Sequence, residues 1–111
     1  MASKERVNKS VAARVKAFAK ILIDEGYAVS QVILFGSYAK GLERKDSDVD
    51  VAVISPKFGK DVMLETIALR KAAMKIDSRI EPVPLTPLAL KDKYSTFSSE
   101  ITAHGIPLYV A

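Results

Sequence analysis

The chain has 111 residues, of which 49% are hydrophobic and 27% are charged, a composition typical of a folded domain. It has no cysteine, which excludes disulfides and thiolate metal sites, and no apolar run approaches the ~20 residues of a membrane span. Its net charge of +4 indicates an ordinary solvated surface, since nucleic-acid binding calls for more clustered basic residues. We expect one domain over residues 1–111 and a cytoplasmic location, because MASKERVNKS is not followed by a signal-peptide core.

The first part of the chain predicts a helix followed by a buried strand. Five apolar residues recur at helical spacing and form one stripe: Val7, Val11, Val15, Phe18 and Leu22. Gly26 is placed to end this helix. The short run Gln31–Phe35 is rich in branched apolar residues, which predicts a buried strand.

The middle of the chain predicts two more strands around a helix. Asp48–Ile54 is an apolar run typical of a strand, and Ser78–Leu85 predicts another. Within the latter, Pro82 and Pro84 remove two donors from the same edge, which predicts that this edge is unpaired. Between these strands, Asp61 can cap a helix. The apolar positions assigned to that helix, with the two methionines as core filler, are Val62, Met63, Ile67, Leu69, Met74 and Ile76.

The C-terminal part predicts a helix start at Thr86-Pro87, a helix over Ser98–Ala103 and a last strand over Pro107–Val110. This segment is more apolar than a free terminus requires; its large apolar residues are Phe97, Ile101, Ile106, Leu108 and Tyr109. Two interpretations stay open: it forms a contact surface for another chain, or it packs on its own sheet. Helices that alternate with strands predict an α/β fold, with a sheet covered by helices.

The most informative segment is Leu34–Ile54, which reads LFGSYAKGLERKDSDVDVAVI. A Gly-Ser pair, Gly36 and Ser37, ends one predicted strand, and Asp48-Val49-Asp50 opens the next. Residues at i and i+2 of a strand share a face, so Asp48 and Asp50 point together while the valines point into the core. Two carboxylates this close repel each other unless a cation lies between them. Mg2+ prefers such oxygens and usually keeps substrate phosphates as further ligands.

The segment GSYAKGLERKDSDVD resembles the signature of the polymerase-beta-like nucleotidyltransferase superfamily, which is Gly-Ser, about ten residues, then Asp-x-Asp. The order of predicted elements is similar to that of its small prokaryotic members, the minimal nucleotidyltransferases. The resemblance implies a small mixed β-sheet flanked by helices. It also implies transfer of a nucleotidyl group, expected to be AMP, from ATP or another nucleoside triphosphate to a hydroxyl acceptor.

The resemblance assigns roles to residues of this chain. Gly36 and Ser37, with Asp48 and Asp50, would bind the nucleotide, and the two aspartates would hold Mg2+ in a two-metal site. Family members usually have a third carboxylate on the next strand. The candidate here is Glu81, as metal ligand or general base, and Asp77 at the preceding helix end is a lower-ranked rival expected to be solvated.

Other residues near the motif keep two interpretations. Lys40, Arg44 and Lys45 would add positive charge near the pyrophosphate or form a solvated loop. Tyr38 would flank a nucleotide base or pack over the turn. The single histidine, His104, is expected to lie at the surface near a helix end.

The length leaves no room for an acceptor domain, so the acceptor is expected on another chain. The resemblance implies a small helical partner of the HEPN class, in an arrangement like a toxin–antitoxin pair, and a homo-oligomer is the other expectation. A different class of function stays open: a weak or inactive binding module that neutralises or assembles with a helical partner. A nucleic-acid binder is not favoured, because no basic run or aromatic platform is found.

Overall fold

The computed structural model describes residues 7–111. The first six residues, which begin the segment MASKERVNKS considered above for a signal peptide, lie outside the described residues. The elements in chain order are α1 (Lys9–Asp24), β1 (Gln31–Phe35), α2 (Ser37–Lys40), β2 (Val49–Ile54), α3 (Val62–Met74), β3 (Ile80–Leu85), α4 (Pro87–Leu90), α5 (Thr96–His104) and β4 (Ile106–Val110). The strands form one sheet in the order β3-β2-β1-β4. β2 and β3 are parallel and the other pairs antiparallel, so the predicted mixed sheet flanked by helices is confirmed.

Strand β2 is buried on both of its faces, and this determines where its carboxylates emerge. Val49, Val51 and Val53 lie in a core that includes Leu69 of α3 and the predicted apolar stripe, whose first residue, Val7, lies just before α1. Ala52 and Ile54 face the other way, into a smaller cluster with Ile33, Phe35 and Ile101 of α5. Asp50, near the N-terminal end, is the one polar residue of β2, and it is partly exposed.

Helix α3 begins where the sequence predicts, because the Asp61 carboxylate accepts a hydrogen bond of 3.1 Å from the Leu64 N–H. It buries a narrow stripe made of Leu69, Ala72 and Ala73. The prediction that Met63 and Met74 fill the core is wrong, since they are 73% and 66% exposed. Exposure extends to three further apolar residues: Val62, Leu64 and Ile67. The helix is apolar on several sides, so hydrophobic spacing alone did not identify the face that contacts the sheet.

Strand β3 lies at the edge of the sheet, as its prolines predict. The Arg79 and Leu85 carbonyls accept hydrogen bonds from Val49 and Ser55, so the odd-numbered residues of this strand pair with β2. The backbone groups of Ile80, Pro82 and Pro84 therefore point outward. The two prolines have no N–H group, and the Ile80 N–H already donates to the Asp77 carbonyl at 3.1 Å. None of these three outward-facing residues therefore has a free N–H donor.

The strand starts differ slightly from the predicted ones. β2 begins at Val49 rather than Asp48, and β3 begins at Ile80 rather than Ser78. In both cases the preceding polar residues belong to the entering loop. Ser47 fixes one loop by accepting a hydrogen bond of 2.7 Å from the Arg44 N–H, and Asp77 fixes the other by accepting from the Arg79 N–H.

The apolar C-terminal segment packs on its own sheet. α5 is longer than predicted because Ser95 caps it, accepting a hydrogen bond from the Ser98 N–H. Ile101, Ile106 and Leu108 are buried, and β4 pairs with β1. Of the two interpretations of this segment, the structure therefore supports packing within the chain. No helix among residues 7–111 is long and apolar enough to cross a membrane.

Candidate functional site

Gly36 and Asp50 are packed against each other where β1 ends. Gly36 has φ 73° and ψ −152°, a backbone region that is essentially restricted to glycine. A Cβ atom built on it would overlap the Oδ2 atom of Asp50 and lie 3.1 Å from its Cγ atom. The glycine therefore lets the chain turn directly over the Asp50 carboxylate.

Two of the predicted site carboxylates are neighbours across β2 and β3. Asp50 is in register with Glu81, and residues paired in this way point to the same face of a sheet. Asp48 lies exposed immediately before β2, two residues ahead of Asp50. The structure thus brings Asp48, Asp50 and Glu81 to one end of the sheet, beside the Gly36 turn.

The environment at this end of the sheet disfavours the ionised form of the Asp50 carboxyl. Burial raises the pKa of the Asp50 carboxyl above its ordinary value of 3.8, and the charges of Asp48, Glu81 and Glu100 raise it further. An unfavourable carboxylate at the end of a strand is a feature of sites that bind a cation or a charged substrate.

Ser37 opens the single helical turn α2, whose geometry follows from Gly36. The Gly36 carbonyl accepts hydrogen bonds from Ala39 at 3.1 Å and from Lys40 at 3.2 Å. Tyr38 is buried, and its hydroxyl accepts a hydrogen bond of 3.1 Å from the guanidinium of Arg79. Of its two interpretations, packing over the turn is the one that the structure supports.

The third carboxylate, Glu81, is not unpaired. It forms an ion pair with Arg70 of α3, which reaches round the sheet edge. No sequence pattern marks this arginine, because the predicted α3 is defined by its cap and its apolar residues alone. Glu81 therefore differs from Asp50 in having its charge compensated within the chain.

The rival carboxylate, Asp77, is paired with two arginines outside the candidate site. Its side chain is 7% exposed rather than solvated as expected, and the carboxylate accepts hydrogen bonds from Arg79 at 2.9 Å and from Arg14 at 2.5 Å. Hydrogen bonds from Arg79 hold the pKa of Asp77 well below its usual range, although burial opposes this. Its carboxylate thus connects Arg14 of α1 with Arg79, the residue before β3.

Sequence reasoning missed a fourth carboxylate, Glu100 of α5. It forms an ion pair with Lys40, the last residue of α2, and its charge is among those that raise the Asp50 pKa. No motif marks Glu100; only the packing of α5 on the sheet brings it here. Of the three loop cations considered in the sequence, Lys40 is thus the one that the structure connects to the carboxylates.

The fit of this site to a metal ion depends on its substrate. Within residues 7–111, no three His, Cys, Asp or Glu side chains are placed to hold a metal together. Asp48 and Asp50 nevertheless provide oxygen ligands of the kind that Mg2+ prefers, and the raised Asp50 pKa indicates negative charge that a cation would offset. The residues fit a metal that takes its remaining ligands from a phosphate substrate.

Comparisons with known proteins identify the family of this chain. The family model described as "Nucleotidyltransferase domain" matches residues 15–104, so the chain belongs to the nucleotidyltransferase domain family. The predicted resemblance to nucleotidyltransferases is confirmed by this match. No curated protein sequence matches the chain significantly.

Three solved structures illustrate the shared fold. A toxin–antitoxin crystal structure with AMP-PNP is similar at 23% identity and TM-score 0.65, covering 90% of this chain and 73% of the other. A chain in the structure of a tri-AMPylated Shewanella oneidensis HEPN toxin in complex with an MNT antitoxin is similar at 20% identity and TM-score 0.62. The match covers 91% of this chain and 73% of the other. A putative nucleotidyltransferase from Sulfolobus solfataricus gives 15% identity and TM-score 0.57, covering 93% and 89%. At these identities the likeness shows the fold.

Proposed function

We propose that this chain, as a single nucleotidyltransferase domain, transfers AMP from ATP to a hydroxyl group of a small helical partner protein. The carrying observation is the contact of Gly36 with Asp50 at the end of β2, beside Asp48 and Glu81. Similarity to toxin–antitoxin structures, one with AMP-PNP and one with an AMPylated HEPN toxin, supports the choice of nucleotide and partner. The partner would be of that HEPN-like class.

The reaction is an in-line substitution at the α-phosphorus of the triphosphate. The acceptor oxygen forms a bond to this phosphorus, the bond to the bridging oxygen of the β-phosphate breaks, and pyrophosphate leaves with that electron pair. The chain contributes mainly by orienting the two reactants and by excluding water, which supplies a large part of such rate enhancements. The acceptor proton passes to Glu81 in the proposed scheme, once Arg70 no longer pairs with it.

The proposed ligands of Mg2+ are Asp48 and Asp50, with Glu81 as a third carboxylate. When bound, Mg2+ would neutralise charge on the phosphates and on the entering and leaving oxygens. Ser37 would donate its hydroxyl to a phosphate oxygen, and the missing side chain of Gly36 would let the backbone approach the phosphates.

The transfer assay uses ATP labelled at the α-phosphate or at the γ-phosphate, with Mg2+ and a co-expressed protein encoded beside this one. We expect label on the partner from α-labelled ATP alone, because pyrophosphate is the leaving group. Asp48→Asn and Asp50→Asn should each lower transfer by about a hundredfold or more. Glu43→Gln, a loss of an exposed carboxylate in the loop between the motifs, is the matched control and should transfer normally. Equal labelling from γ-labelled ATP would contradict nucleotidyl transfer.

Nucleotide binding provides a second readout that needs no partner. The carboxylates repel a bare triphosphate, so ATP should bind weakly and mainly when Mg2+ is present. Calorimetry with Mg2+ and with EDTA measures the difference, and Asp48→Asn should remove it without changing the fold, because Asp48 is exposed outside the core. Equal affinity in EDTA and in Mg2+ would contradict the metal-bridged scheme.

One observation favours the second candidate function, a binding module for a helical partner. Five large apolar residues of α3 are exposed, namely Val62, Met63, Leu64, Ile67 and Met74. Arg70, Lys71 and Lys75 are exposed on the same helix or just after it. These properties suit a partner helix with apolar residues and acidic neighbours.

Binding and catalysis can be separated with α3 variants. Met63→Glu and Ile67→Glu should abolish co-purification of the partner protein but leave Mg-dependent ATP binding intact. Leu88→Glu, at an 81% exposed apolar residue of α4, is the matched control and should bind the partner normally. Partner binding that survives both α3 changes would rule out this surface. Partner neutralisation by Asp48→Asn protein at the wild-type level would favour the binding module over the enzyme.

A further inference from the structure

A half-buried ion pair links the turn after Gly36 to helix α5. Lys40 is the last residue of α2, and its ammonium group pairs with the carboxylate of Glu100. The two side chains are 33% and 37% exposed, so the pair lies at the margin of the site rather than free in solvent. It is the contact that connects the motif turn to the C-terminal helix by charge.

Packing of α5 places Glu100 over the carboxylate end of the sheet. Phe97, one helical turn before Glu100, packs edge-on against Phe35 with ring centroids 5.2 Å apart. Phe35 is in register with Asp50. Glu100 is therefore held on the same side of the sheet as Asp50, and the influence of its charge on the Asp50 carboxyl agrees with this position.

We propose that Glu100 is a positioning residue that makes the site select metal-bound over metal-free triphosphate, by holding Lys40 and by adding a negative charge beside the aspartates. This inference rests on the proposed function, in that the ligand is a triphosphate. Without a cation, a triphosphate meets the carboxylates of Asp48 and Asp50 and must compete with Glu100 for Lys40. With Mg2+, the metal offsets the charge of the carboxylates. The free-energy cost of displacing Glu100 from Lys40 is then smaller than it is for the metal-free triphosphate.

The test measures binding of ATP and of inorganic tripolyphosphate, each in EDTA and in Mg2+, by calorimetry. Glu100→Gln keeps the shape of the side chain and removes its charge. It should tighten binding in EDTA by about threefold or more, as expected for one nearby charge, and change binding in Mg2+ less. The ratio of the two affinities should therefore fall. Lys40→Met should weaken binding of both ligands and reduce the gain that Glu100→Gln brings.

Two further variants separate charge from structure. Glu100→Asp keeps the charge and should retain the wild-type affinity ratio. Glu43→Gln removes an exposed carboxylate that is not among the charges raising the Asp50 pKa, and it should also retain the ratio. A purely structural role of Glu100 would change thermal stability but not the ratio.

The outcomes distinguish this inference from the proposed function. Unchanged or weaker tripolyphosphate binding by Glu100→Gln in EDTA overturns the role of Glu100, whatever the transfer assay shows. Absence of AMP transfer by the wild type, with the Glu100→Gln effect intact, overturns the proposed reaction and keeps the role of Glu100 as a charge that selects the ligand.

Discussion

The contact of Gly36 with Asp50 constrains both residues. A side chain at Gly36 meets two penalties, a positive φ and overlap with the Asp50 carboxylate. Gly41 has a similar φ of 72°, but a Cβ atom built there has nothing within 4 Å. The two glycines therefore separate backbone strain from steric overlap.

We predict that Gly36→Ala lowers the free energy of unfolding by about 1–3 kcal/mol from backbone strain, plus a further cost from displacing Asp50. Gly41→Ala should cost only the strain of a left-handed residue, about 1–2 kcal/mol. Urea denaturation measures both, and Gly36→Ala should also weaken Mg-dependent ATP binding. Equal losses of stability in the two variants would show that the overlap with Asp50 has no energetic consequence.

The pKa values of Asp50 and Asp77 are shifted in opposite directions, so an Asp→Asn substitution should have opposite effects on stability at the two positions. The folded-state pKa of Asp50 is raised above 3.8, so the stability that its protonated form contributes is complete below pH 3.8 and lost as pH rises through the folded pKa. Asp50→Asn should therefore be more stable than the wild type at pH 7 in EDTA. The difference should shrink as the pH falls toward 3.8, as thermal denaturation at several pH values will show.

The pKa of Asp77 is lowered, so its contribution to stability is present above its ordinary value of 3.8 and lost as the pH falls below it. Asp77→Asn breaks ion pairs with two arginines, and we expect a loss of about 1–3 kcal/mol at pH 7. The same denaturation series measures it. A stabilised Asp77→Asn protein at neutral pH would contradict the structural role assigned to this carboxylate.

At the scale of elements, α3 shows what periodicity can and cannot predict. The Asp61 cap and the buried Leu69 were predictable from capping chemistry and from the apolar content. The outward position of Met63 and Met74 was not, because it depends on how the helix lies on the sheet. β1 was predicted with its observed bounds, since a branched apolar run between a turn and a glycine leaves few alternatives.

We predict that Met63→Ser and Met74→Ser each change the free energy of unfolding by no more than about 0.5 kcal/mol, because the side chains are exposed. Leu69→Ala on the same helix should cost about 2–5 kcal/mol, because it leaves a cavity under the sheet. Chemical denaturation of the three variants checks the assignment of faces. A large loss for either methionine would place it in a packed interface.

At the scale of the whole molecule, the carboxylates that follow a sequence pattern were predictable and their partners were not. Asp48 and Asp50 are two residues apart, and Glu81 follows from the resemblance, which implies a third carboxylate on the next strand. Arg70 and Glu100 join the site only through the packing of α3 and α5. Such long-range contacts depend on helix position and rotation, which no local spacing encodes.

The outer edge of β3 determines how another chain can associate with this side of the sheet. A strand added to an edge needs N–H donors in alternate positions, and here two are replaced by proline rings while the Ile80 donor already bonds within the chain. This edge cannot serve as a template for a neighbouring strand, so it is protected against edge-to-edge aggregation. A protein that approaches the molecule from this side must recognise side chains instead of the backbone.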